Sequence, residues 1–378
     1  MKDYSLMMVG DLILDEPAPI EPLFDYCRQT LKESDFLIGH IEVPHTTRGT
    51  ENSTDVPAPP ANPEHLNAMV DPGFDVATLA GNHFHDNGIY GIQDTIAKLN
   101  ELGIASTGAG MNIMQARTPA IIEKNGLTLG VLSYNTVGPR ENWATSKKPG
   151  CAYVNVLTHY ELEQATPGAP GTPYTFVQPA SQELMEEDIK KLRSQCDILV
   201  VSFHKGIVHT PAALAMYERP LCRGAIDAGA DIVIGQHAHI LKGIEIYKGK
   251  PIYHNLGNFV TVTYALTPSS ANDSPERIAW AQRREKLFGF KPDPETPHYP
   301  FNPESRNTFI AKVMIQEDGP IISGLIPCRI DKSGAPHVLN RDNGGQEIVD
   351  YVEQISKAEK LKIQLVWEDN WVRIIDKA

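Results

Sequence analysis

The sequence has few cysteines, no long apolar run and a deficit of basic residues, and each absence excludes a class of protein. The five cysteines form no Cys-x-x-Cys pair, so free thiols in a reducing compartment are expected rather than a disulfide framework or a zinc ribbon. No apolar run reaches the roughly 18 residues that a bilayer span requires. With 34 basic and 47 acidic residues the net charge is −13, which disfavours nucleic acid and anionic membranes as partners.

The beginning of the chain also lacks the features of a secretory leader. Residues 1–4 lead into the apolar run at 6–9, which is shorter than the apolar region of a signal peptide. We therefore expect a cytoplasmic protein with no membrane span. The 378 residues, 41% of them apolar, suffice for one large α/β domain or two ordinary ones. Nothing in the composition predicts the oligomeric state.

Short apolar runs alternate with helical patterns along much of the chain. The runs are rich in Val, Ile and Leu and stop at glycine or polar residues, as at 6–9, 36–38, 76–80, 198–201 and 232–234. Such runs are typical of buried strands, and their alternation with helices favours an α/β architecture with mainly parallel strands. Turn signals predict hairpins within 117–136, 240–260 and 308–330. The sheets are therefore expected to be mixed.

Two long proline-rich segments, 137–180 and 262–307, interrupt this pattern. Loops of this length inside a compact domain are usually functional or disordered. We predict a main domain over 1–334 and a helix and strand extension over 335–378. Because no composition shift marks a boundary, we expect the extension to pack on the same domain. The segment 262–307 is predicted to be a lid, with a solvated surface excursion as the alternative.

Polar residues gather where the apolar runs stop, and they include most of the histidines in the first 240 residues. They are Asp11, His40, Glu42, Asn82, His83, His85, Asp86, His204, His209, His237 and His239. Ligands of α/β sheets bind at the carboxyl ends of the strands, where converging histidines and carboxylates are typical of a catalytic metal site. Each residue alone fits a turn, a helix cap or a surface charge. Their joint occurrence is what favours a metal site.

The spacing within the last motif adds to this prediction. His237 and His239 lie two residues apart. In an extended segment such residues point the same way, so both side chains are expected to face one ion.

These motifs also occur in a specific order. Gly10-Asp11 is followed by Glu42, by Gly81-Asn82-His83, by His204, and by the stretch 229–259, which contains His237-Ala238-His239 and Asn255-Leu256-Gly257-Asn258-Phe259. Over roughly residues 4–260 the chain resembles the poly-γ-glutamate capsule synthesis (CapA) family of the metallophosphoesterase-like, or calcineurin-like, superfamily. The resemblance implies a four-layer α/β/β/α sandwich with two mixed β-sheets and metal ligands on loops at one edge of both sheets.

The resemblance also implies roles for individual residues. The implied metal ligands are Asp11, Glu42, Asn82, His204, His237 and His239, and the implied catalytic residue is His83. From the sequence itself we expect Asp86 or His85 to orient His83, and we include Asp86 and His40 among the candidate catalytic residues. Lys205 follows His204 and would suit a carboxylate substrate, and the predicted lid would bring Arg277, Arg283 or Arg284 towards the same anion.

One position departs from the superfamily pattern. Ile13 stands where the superfamily has the histidine of an Asp-x-His motif, so one ligand of the first metal is missing. His40 would either restore an imidazole or support the site from outside. One ion, or one tight and one weak ion, is therefore expected. Imidazole mixed with carboxylate favours Mn, Zn or Fe, with Ca as a less favoured alternative.

The predicted function follows from this site. The chain is expected to be a soluble metal-dependent hydrolase of the CapA type that acts on an amide, peptide-like or carboxylate-bearing substrate, using a metal-activated water and a histidine as general acid or base. One alternative is a metal-dependent peptide epimerase or isomerase that abstracts a proton α to a carboxylate or carbonyl. Another is a non-catalytic subunit for capsule or polymer assembly. The predicted partner is a small-molecule or peptide-like anionic substrate.

Overall fold

The computed structural model describes residues 3–51, 56, 58–161, 171–267, 275–316 and 319–377, apart from the side chains of residues 276 and 277. The strands within these ranges are β1 (Asp3–Leu14), β2 (Phe36–Ile41), β3 (Val76–Thr78), β4 (Ala105–Thr107), β5 (Ala109–Gly110), β6 (Ala120–Lys124), β7 (Leu127–Asn135), β8 (Gly150–Cys151), β9 (Val156–Glu161), β10 (Thr172–Val177), β11 (Ile198–His204), β12 (Ile232–Gln236), β13 (Ile244–Tyr247), β14 (Lys250–Tyr253), β15 (Asn258–Val262), β16 (Asn307–Gln316), β17 (Ile322–Ile330), β18 (Pro336–Val338), β19 (Ile363–Glu368) and β20 (Trp371–Asp376). The α-helices are α1 (Arg28–Leu31), α2 (Gly88–Glu101), α3 (Ile113–Ala116), α4 (Pro179–Arg193), α5 (Glu218–Ala228), α6 (Pro275–Phe288) and α7 (Gly345–Ala358).

Two large sheets hold most of these strands. The first has the order β19-β20-β17-β16-β1-β2-β3-β4, with β15 beside the end of β1 and β18 beside β17, and the second has the order β13-β14-β12-β11-β7-β6. Parallel pairing joins β1 to β2 and β11 to β12, whereas the pairs β16–β17, β6–β7 and β13–β14 are antiparallel. The mixed sheets and the three hairpins predicted from the sequence are confirmed.

Alternation along β1 shows how the layers form. Leu6 and Met8 face the second sheet, while Met7 and Val9 face the opposite way, because successive side chains of a strand point to opposite faces. The inter-sheet core also takes Val200 from β11.

Helices cover the two outer faces of the sheets. Ile92 and Leu99 of α2 pack on the outer face of the first sheet. Ile189 of α4 and Leu221 of α5 pack on the outer face of the second sheet. The four-layer α/β/β/α sandwich that the resemblance implies is thus the architecture of the chain.

The C-terminal residues join the same layers. β20 pairs with β17, so β19 and β20 extend the first sheet. Ile348 and Val352 of α7 contribute to the inter-sheet core. The division into a main domain and an extension stays a prediction. No helix in the described part of the chain is both long and apolar enough to cross a bilayer.

Two glycines bring the edges of the sheets together beside the site. A Cβ atom on Gly10 would lie 2.0 Å from the carbonyl oxygen of Gly257, and one on Gly235 would lie 1.9 Å from that of His254. No side chain fits at such distances, so both positions require glycine. The backbone N–H of Asp11 donates to the Gly257 oxygen at 2.9 Å. The ends of β1 and β12 are therefore tied to one segment, 254–257.

Candidate metal centre and substrate cavity

Four buried side chains converge at the carboxyl ends of the strands. Asp11, His40, Glu42 and His204 each offer one ligand atom, and these atoms all lie within 4.8 Å of one another. Asp11 and His40 are neighbours in the parallel pairing of β1 with β2, Glu42 follows β2, and His204 ends β11. The two sheets therefore contribute to one cluster.

The ligand atoms of this cluster have no hydrogen-bond partner in the described part of the chain. They are Oδ1 of Asp11, both carboxylate oxygens of Glu42, Nε2 of His40 and Nδ1 of His204. Leaving a buried polar atom unsatisfied costs about 1–3 kcal/mol, and more for a charged group. A divalent cation would satisfy all of them at once, and this mixture of imidazole and carboxylate suits Mn, Fe or Zn. The cluster is thus compatible with a divalent metal site.

Hydrogen bonds on the far side of the two imidazoles orient them towards Glu42. Nδ1 of His40 lies 3.0 Å from Oγ1 of Thr78, and Nε2 of His204 lies 2.8 Å from Oδ1 of Asn82. The opposite nitrogens face Oε2 of Glu42 at 3.3 and 3.7 Å, respectively. Such outer contacts set the tautomer and ring orientation of metal-binding histidines.

His239 approaches the cluster from the second sheet. Its Nδ1 lies 2.9 Å from Oδ1 of Asn258 and 3.3 Å from Oδ2 of Asp11, and its Nε2 lies 3.7 Å from Oε1 of Glu42. Because both neighbours of Nδ1 are acceptors, this nitrogen carries the proton. Nε2 therefore carries the lone pair that can coordinate an ion.

His237 adopts a different backbone conformation from the one predicted. His237 and His239 have φ values of +87° and +52°, so the motif is not an extended segment. The rings still line one cavity, with centroids 6.1 Å apart, and the backbone N–H of His237 donates to Oδ2 of Asp11 at 3.3 Å. Non-glycine residues in this region of φ are uncommon and concentrate at functional sites.

The electrostatics of the cluster favour the protonation states of metal ligands at Glu42, His204 and His237, whereas the pKa values of Asp11 and His239 are raised. Burial by itself would raise the pKa of Glu42, but His204 and the other surrounding imidazoles hold that pKa well below its usual value. Burial lowers the pKa of His204 well below its usual range and that of His237 to about 3. Burial, together with Glu42, raises the pKa of Asp11. Neutral imidazoles beside an ionised carboxylate form a donor set for a cation.

His83 lies beside the cluster and is held by its own carboxylate. Nδ1 of His83 lies 2.7 Å from Oδ2 of Asp86, and Nε2 lies 3.1 Å from Nδ2 of Asn82. His85 half-faces solvent, and burial lowers its pKa to about 4. Of the two residues that the sequence offers as a support for His83, Asp86 is the one in contact with it.

A cavity of about 300 Å³ opens beside the cluster. It is lined by Ile13, Glu42, Val43, Val56, Ala58, Asn82, His83, Gly138, Val208, His209, His237, His239, Thr263, Ala265, Leu266, Trp280, Arg284, Phe288 and Phe301. Helix α6 supplies Trp280, Arg284 and Phe288, so the predicted lid segment forms part of the cavity wall. The remaining wall is mostly apolar, and its polar residues include Glu42 of the cluster and the neighbouring Asn82, His83, His237 and His239.

The three arginines predicted for the lid have different positions. Arg284 is buried and lines the cavity, whereas Arg283 is exposed on α6 and does not line it. The side chain of Arg277 lies outside the described part of the chain. A substrate-binding role therefore has structural support for Arg284, and the expectation for Arg283 is wrong because its side chain points to solvent.

Lys205 does not reach the cavity, which corrects its predicted role in binding a carboxylate substrate. Its side chain is fully buried, and Nζ donates to Oε2 of Glu218 at 2.6 Å and to the backbone oxygen of His254 at 2.8 Å. Because lysine follows His204 directly, its side chain points away from the centre and into the interior. The ion pair anchors the loop that leaves β11.

His40 also has a different place from the one predicted. It was expected among the catalytic residues, yet its side chain is fully buried and does not line the cavity. It therefore cannot touch a substrate. Its Nε2 belongs to the ligand cluster instead, which corresponds to the alternative in which His40 restores the imidazole that Ile13 lacks.

Two residues near the centre had no predicted role, and the strand-end histidine His209 lies close to them. Asn258 and Thr78 orient His239 and His40, and His209 lies behind His239 with a ring separation of 5.7 Å. Asn258 belongs to the motif Asn255-Leu256-Gly257-Asn258-Phe259, which offered a signal. Thr78 lies within a strand and offered none, because threonine is common in strands.

Comparison with known proteins identifies the family. A family model described as "Bacterial capsule synthesis protein PGA_cap" matches residues 5–263. The chain belongs to this family. The CapA-type prediction is thereby confirmed, and the match includes every residue of the candidate metal centre. It ends before α6, so the helix that carries Trp280, Arg284 and Phe288 lies beyond the region shared with the PGA_cap model.

The alignments with curated relatives cover only part of each relative's length. The PGA biosynthesis protein CapA of Bacillus subtilis is 28% identical over 265 residues, which cover 68% of this chain and 63% of that protein. A probable polyglutamine synthesis accessory protein of Mycobacterium tuberculosis is 29% identical over 207 residues, which cover 53% of this chain and 48% of that protein. The chain thus spans about half to three fifths of these PGA_cap relatives.

A solved structure also aligns along most of the chain. The crystal structure of a phosphatase from Mycoplasma pneumoniae has a TM-score of 0.44 and 14% sequence identity, and the alignment covers 89% of this chain and 91% of that chain.

Proposed function

We propose that this PGA_cap protein is a metal-dependent hydrolase that cleaves an amide bond in a small, peptide-like substrate. The observation that carries the proposal is the convergence of unsatisfied buried ligand atoms beside a cavity that also contains a histidine held by a carboxylate. Enzymes that hydrolyse amides need both an electrophilic centre and a proton-transfer group within reach of the same bond. Both stand next to one cavity here.

The residues that would hold the ion are those of the cluster. Asp11, His40, Glu42 and His204 would bind it directly, and His239 presents Nε2 to the same carboxylate. A divalent cation bound there would supply Lewis-acid activation of the scissile carbonyl and of water.

His83 is the proposed general acid and base. A carboxylate accepts hydrogen bonds, so the contact with Asp86 places the proton of neutral His83 on Nδ1 and makes Nε2 the acceptor in its pair with Nδ2 of Asn82. The attacking water would replace the Asn82 amide at Nε2 and donate its proton there. After accepting a proton from the attacking water, Nε2 can return it to the leaving amine. Asp86 would stabilise the imidazolium between these steps, because opposite charges in a buried site attract strongly.

The cavity favours a small substrate. Its volume of about 300 Å³ is at the lower end of the range for small-molecule sites, which is about 300–1,000 Å³. Apolar side chains such as Val43, Val208 and Phe301 line it, and they would exclude water from the reacting bond. The name of the relative in Mycobacterium tuberculosis, a polyglutamine synthesis accessory protein, also supports a peptide-like substrate.

A cytoplasmic location is part of the proposal. All five cysteines are free thiols, and four of them are buried. Free thiols persist in a reducing compartment.

The test is turnover of a defined set of substrates in D2O. The purified protein, incubated with Mn²⁺ or Zn²⁺, would be offered short α- and γ-linked glutamyl peptides, an ester and a phosphoester, and the products analysed by mass spectrometry. New amine and acid termini support the proposal. Deuterium at an α-carbon without cleavage would instead support an epimerase, and a metal-loaded protein that turns over none of them would support an assembly subunit.

A further inference from the structure

Arg284 carries a buried charge that has no counter-ion among the described residues. Its side chain is 7% exposed, and its guanidinium lies 5.7 Å from the centre of the Trp280 ring and 5.6 Å from that of Phe290. Its hydrogen bond, from Nη2 at 3.1 Å, is to Nε2 of the neutral His209. In the described part of the chain no carboxylate contacts it.

This arrangement is unfavourable unless an anion joins it. Burying an unpaired charge costs several kcal/mol, and cation–π contacts of about 1–2 kcal/mol each offset only part of that cost. Burial lowers the pKa of Arg284 to about 10, so the side chain remains a cation near neutral pH. A guanidinium has five N–H donors, and the bond to His209 uses one of them. The others are available to a ligand in the cavity that Arg284 lines.

His209 offers a second donor at the same place. Because its Nε2 accepts the bond from Arg284, Nδ1 carries the ring proton, and this buried nitrogen has no partner in the described ranges. The backbone of His209 is held at φ +55°, and its ring packs against those of Phe288 and Phe301 at 5.0 and 5.9 Å. The donor is therefore fixed in position.

The distance from this pair to the candidate metal centre is short. The ring of His209 stacks on that of His239 at 5.7 Å, and His239 contacts Asp11. The imidazole rings of His209 and His239 thus lie in line between the guanidinium of Arg284 and Asp11. Arg284 and Glu42 line the same cavity of about 300 Å³, so one small substrate can contact the guanidinium and the candidate metal centre together.

We propose that Arg284 and His209 bind a free carboxylate of the substrate, which selects substrates that carry a carboxylate beside the scissile amide. This inference rests on the proposed hydrolase function and adds the group that the enzyme recognises. Both a C-terminal carboxylate and the side-chain carboxylate of a glutamyl residue have the required chemistry. Because α6 lies beyond the match to the family model, the selectivity would come from this chain's own segment.

Binding of small probes tests the inference without turnover. The probes are N-acetylglutamine, which has only the α-carboxylate, N-acetylisoglutamine, which has only the side-chain carboxylate, and the neutral N-acetylglutamine amide. Titration calorimetry with the full chain is expected to show at least tenfold tighter binding of one carboxylate probe than of the neutral probe, since charge-assisted bidentate bonds to arginine are strong. Which of the two binds tighter identifies the source of the carboxylate.

Variants assign the binding to Arg284. In Arg284→Gln the preference for a carboxylate is expected to fall to less than about threefold, while Arg283→Gln, the same change on the exposed face of the same helix, keeps it. If Arg284→Gln fails to fold, two other variants take its place. Arg284→Lys retains the charge but not the planar guanidinium, and His209→Phe retains an aromatic ring but removes the N–H donor. Each is expected to weaken the preference. Equal binding of all three probes by the unaltered protein, or a full preference in Arg284→Gln, would overturn the inference.

Repeating the titrations after chelation separates this site from the metal centre. A carboxylate held by Arg284 keeps its preference in the presence of EDTA, whereas one held by the cation loses it, and that loss would overturn the inference. The two proposals also fail differently. Carboxylate binding that depends on Arg284 but without cleavage of any amide would contradict only the hydrolase. Cleavage with equal rates for acid and amide substrates would contradict only the carboxylate site.

Discussion

Nδ1 of His83 lies 2.7 Å from Oδ2 of Asp86, three residues further along the chain. Both side chains are buried, and His83 lines the cavity beside the candidate metal centre. The contact fixes the ring orientation of His83 and places its proton on the nitrogen that faces Asp86. The other nitrogen accepts from Nδ2 of Asn82 at 3.1 Å, so a proton acceptor is held beside the site, as a general acid or base requires.

Replacing His83 is expected to impair chemistry rather than metal binding. His83→Asn should lower kcat by about 10²- to 10⁴-fold, the range typical of general acid–base groups, with an unchanged metal content by elemental analysis. Asp86→Asn should lower kcat less and shift the pH profile of kcat. His85→Asn is the matched control, because His85 does not line the cavity. Equal loss of activity in His83→Asn and His85→Asn would contradict the assignment.

The buried ion pair of Lys205 and Glu218 is expected to support the fold beneath the site. Nζ of Lys205 lies 2.6 Å from the Glu218 carboxylate, and both side chains are at most 1% exposed. Glu218→Gln should lower the free energy of unfolding by about 3–5 kcal/mol, because it leaves a buried charge unpaired. The double variant Lys205→Met/Glu218→Gln should recover much of that loss. Urea denaturation at pH 7 measures both.

An exposed pair provides the control for this prediction. Lys332 and Glu295 form an ion pair with side chains 70% and 71% exposed. Glu295→Gln should change the free energy of unfolding by less than about 1 kcal/mol, since water screens such pairs. If Glu218→Gln also lowers the free energy of unfolding by less than about 1 kcal/mol, the buried pair does not anchor the loop.

The residues at the strand ends were predictable from the sequence. The directions in which the side chains next to them point were not. Apolar runs followed by Asp11, Glu42, Asn82 and His204 indicated one edge of an α/β sandwich, because parallel strands end at a common edge. Those residues do lie around one point. The fold was predictable for the same reason, since alternation and turn signals depend on local sequence.

Lys205 and His40 show where the sequence is insufficient. A lysine beside a metal ligand can face the cavity or the interior, and the choice depends on a distant partner, Glu218, that no local pattern identifies. Histidine often acts as a catalytic base, and only the full burial of His40 assigns it to the ligand cluster instead. Burial and long-range contacts are tertiary properties, so neither could be inferred from motif order.

Lys242 is expected to make stability depend on pH in the alkaline range. Its side chain is 1% exposed and donates to the backbone oxygen of Thr210, and burial lowers its pKa from 10.5 to about 8. Between these values the unfolded chain binds more protons at Lys242 than the folded chain does, so stability rises with pH. Relative to Lys242→Met, the free energy of unfolding should rise by up to about 3 kcal/mol from pH 7 to 10.5.

The control for Lys242 is an exposed lysine. The side chain of Lys248 is 63% exposed and pairs with Asp227, which raises the pKa of Lys248. Lys248→Met should therefore give a pH profile parallel to that of the unaltered protein up to about pH 10. If the pH profile of Lys242→Met is also parallel to that of the unaltered protein, the buried lysine does not titrate below its usual pKa.

The central claim is that Asp11, His40, Glu42 and His204 hold a divalent cation, and elemental analysis of the purified protein tests it most directly. After incubation with Mn²⁺ or Zn²⁺ and removal of unbound metal, the unaltered protein and the exposed control His159→Gln should each retain at least one ion per chain. Both should also melt at a higher temperature than the chelated protein, because a ligand that binds only the folded state stabilises it. Glu42→Gln should retain far less metal and show no such rise in Tm. Absence of a stoichiometric ion from the unaltered protein with either metal, and an unchanged Tm, would contradict the account.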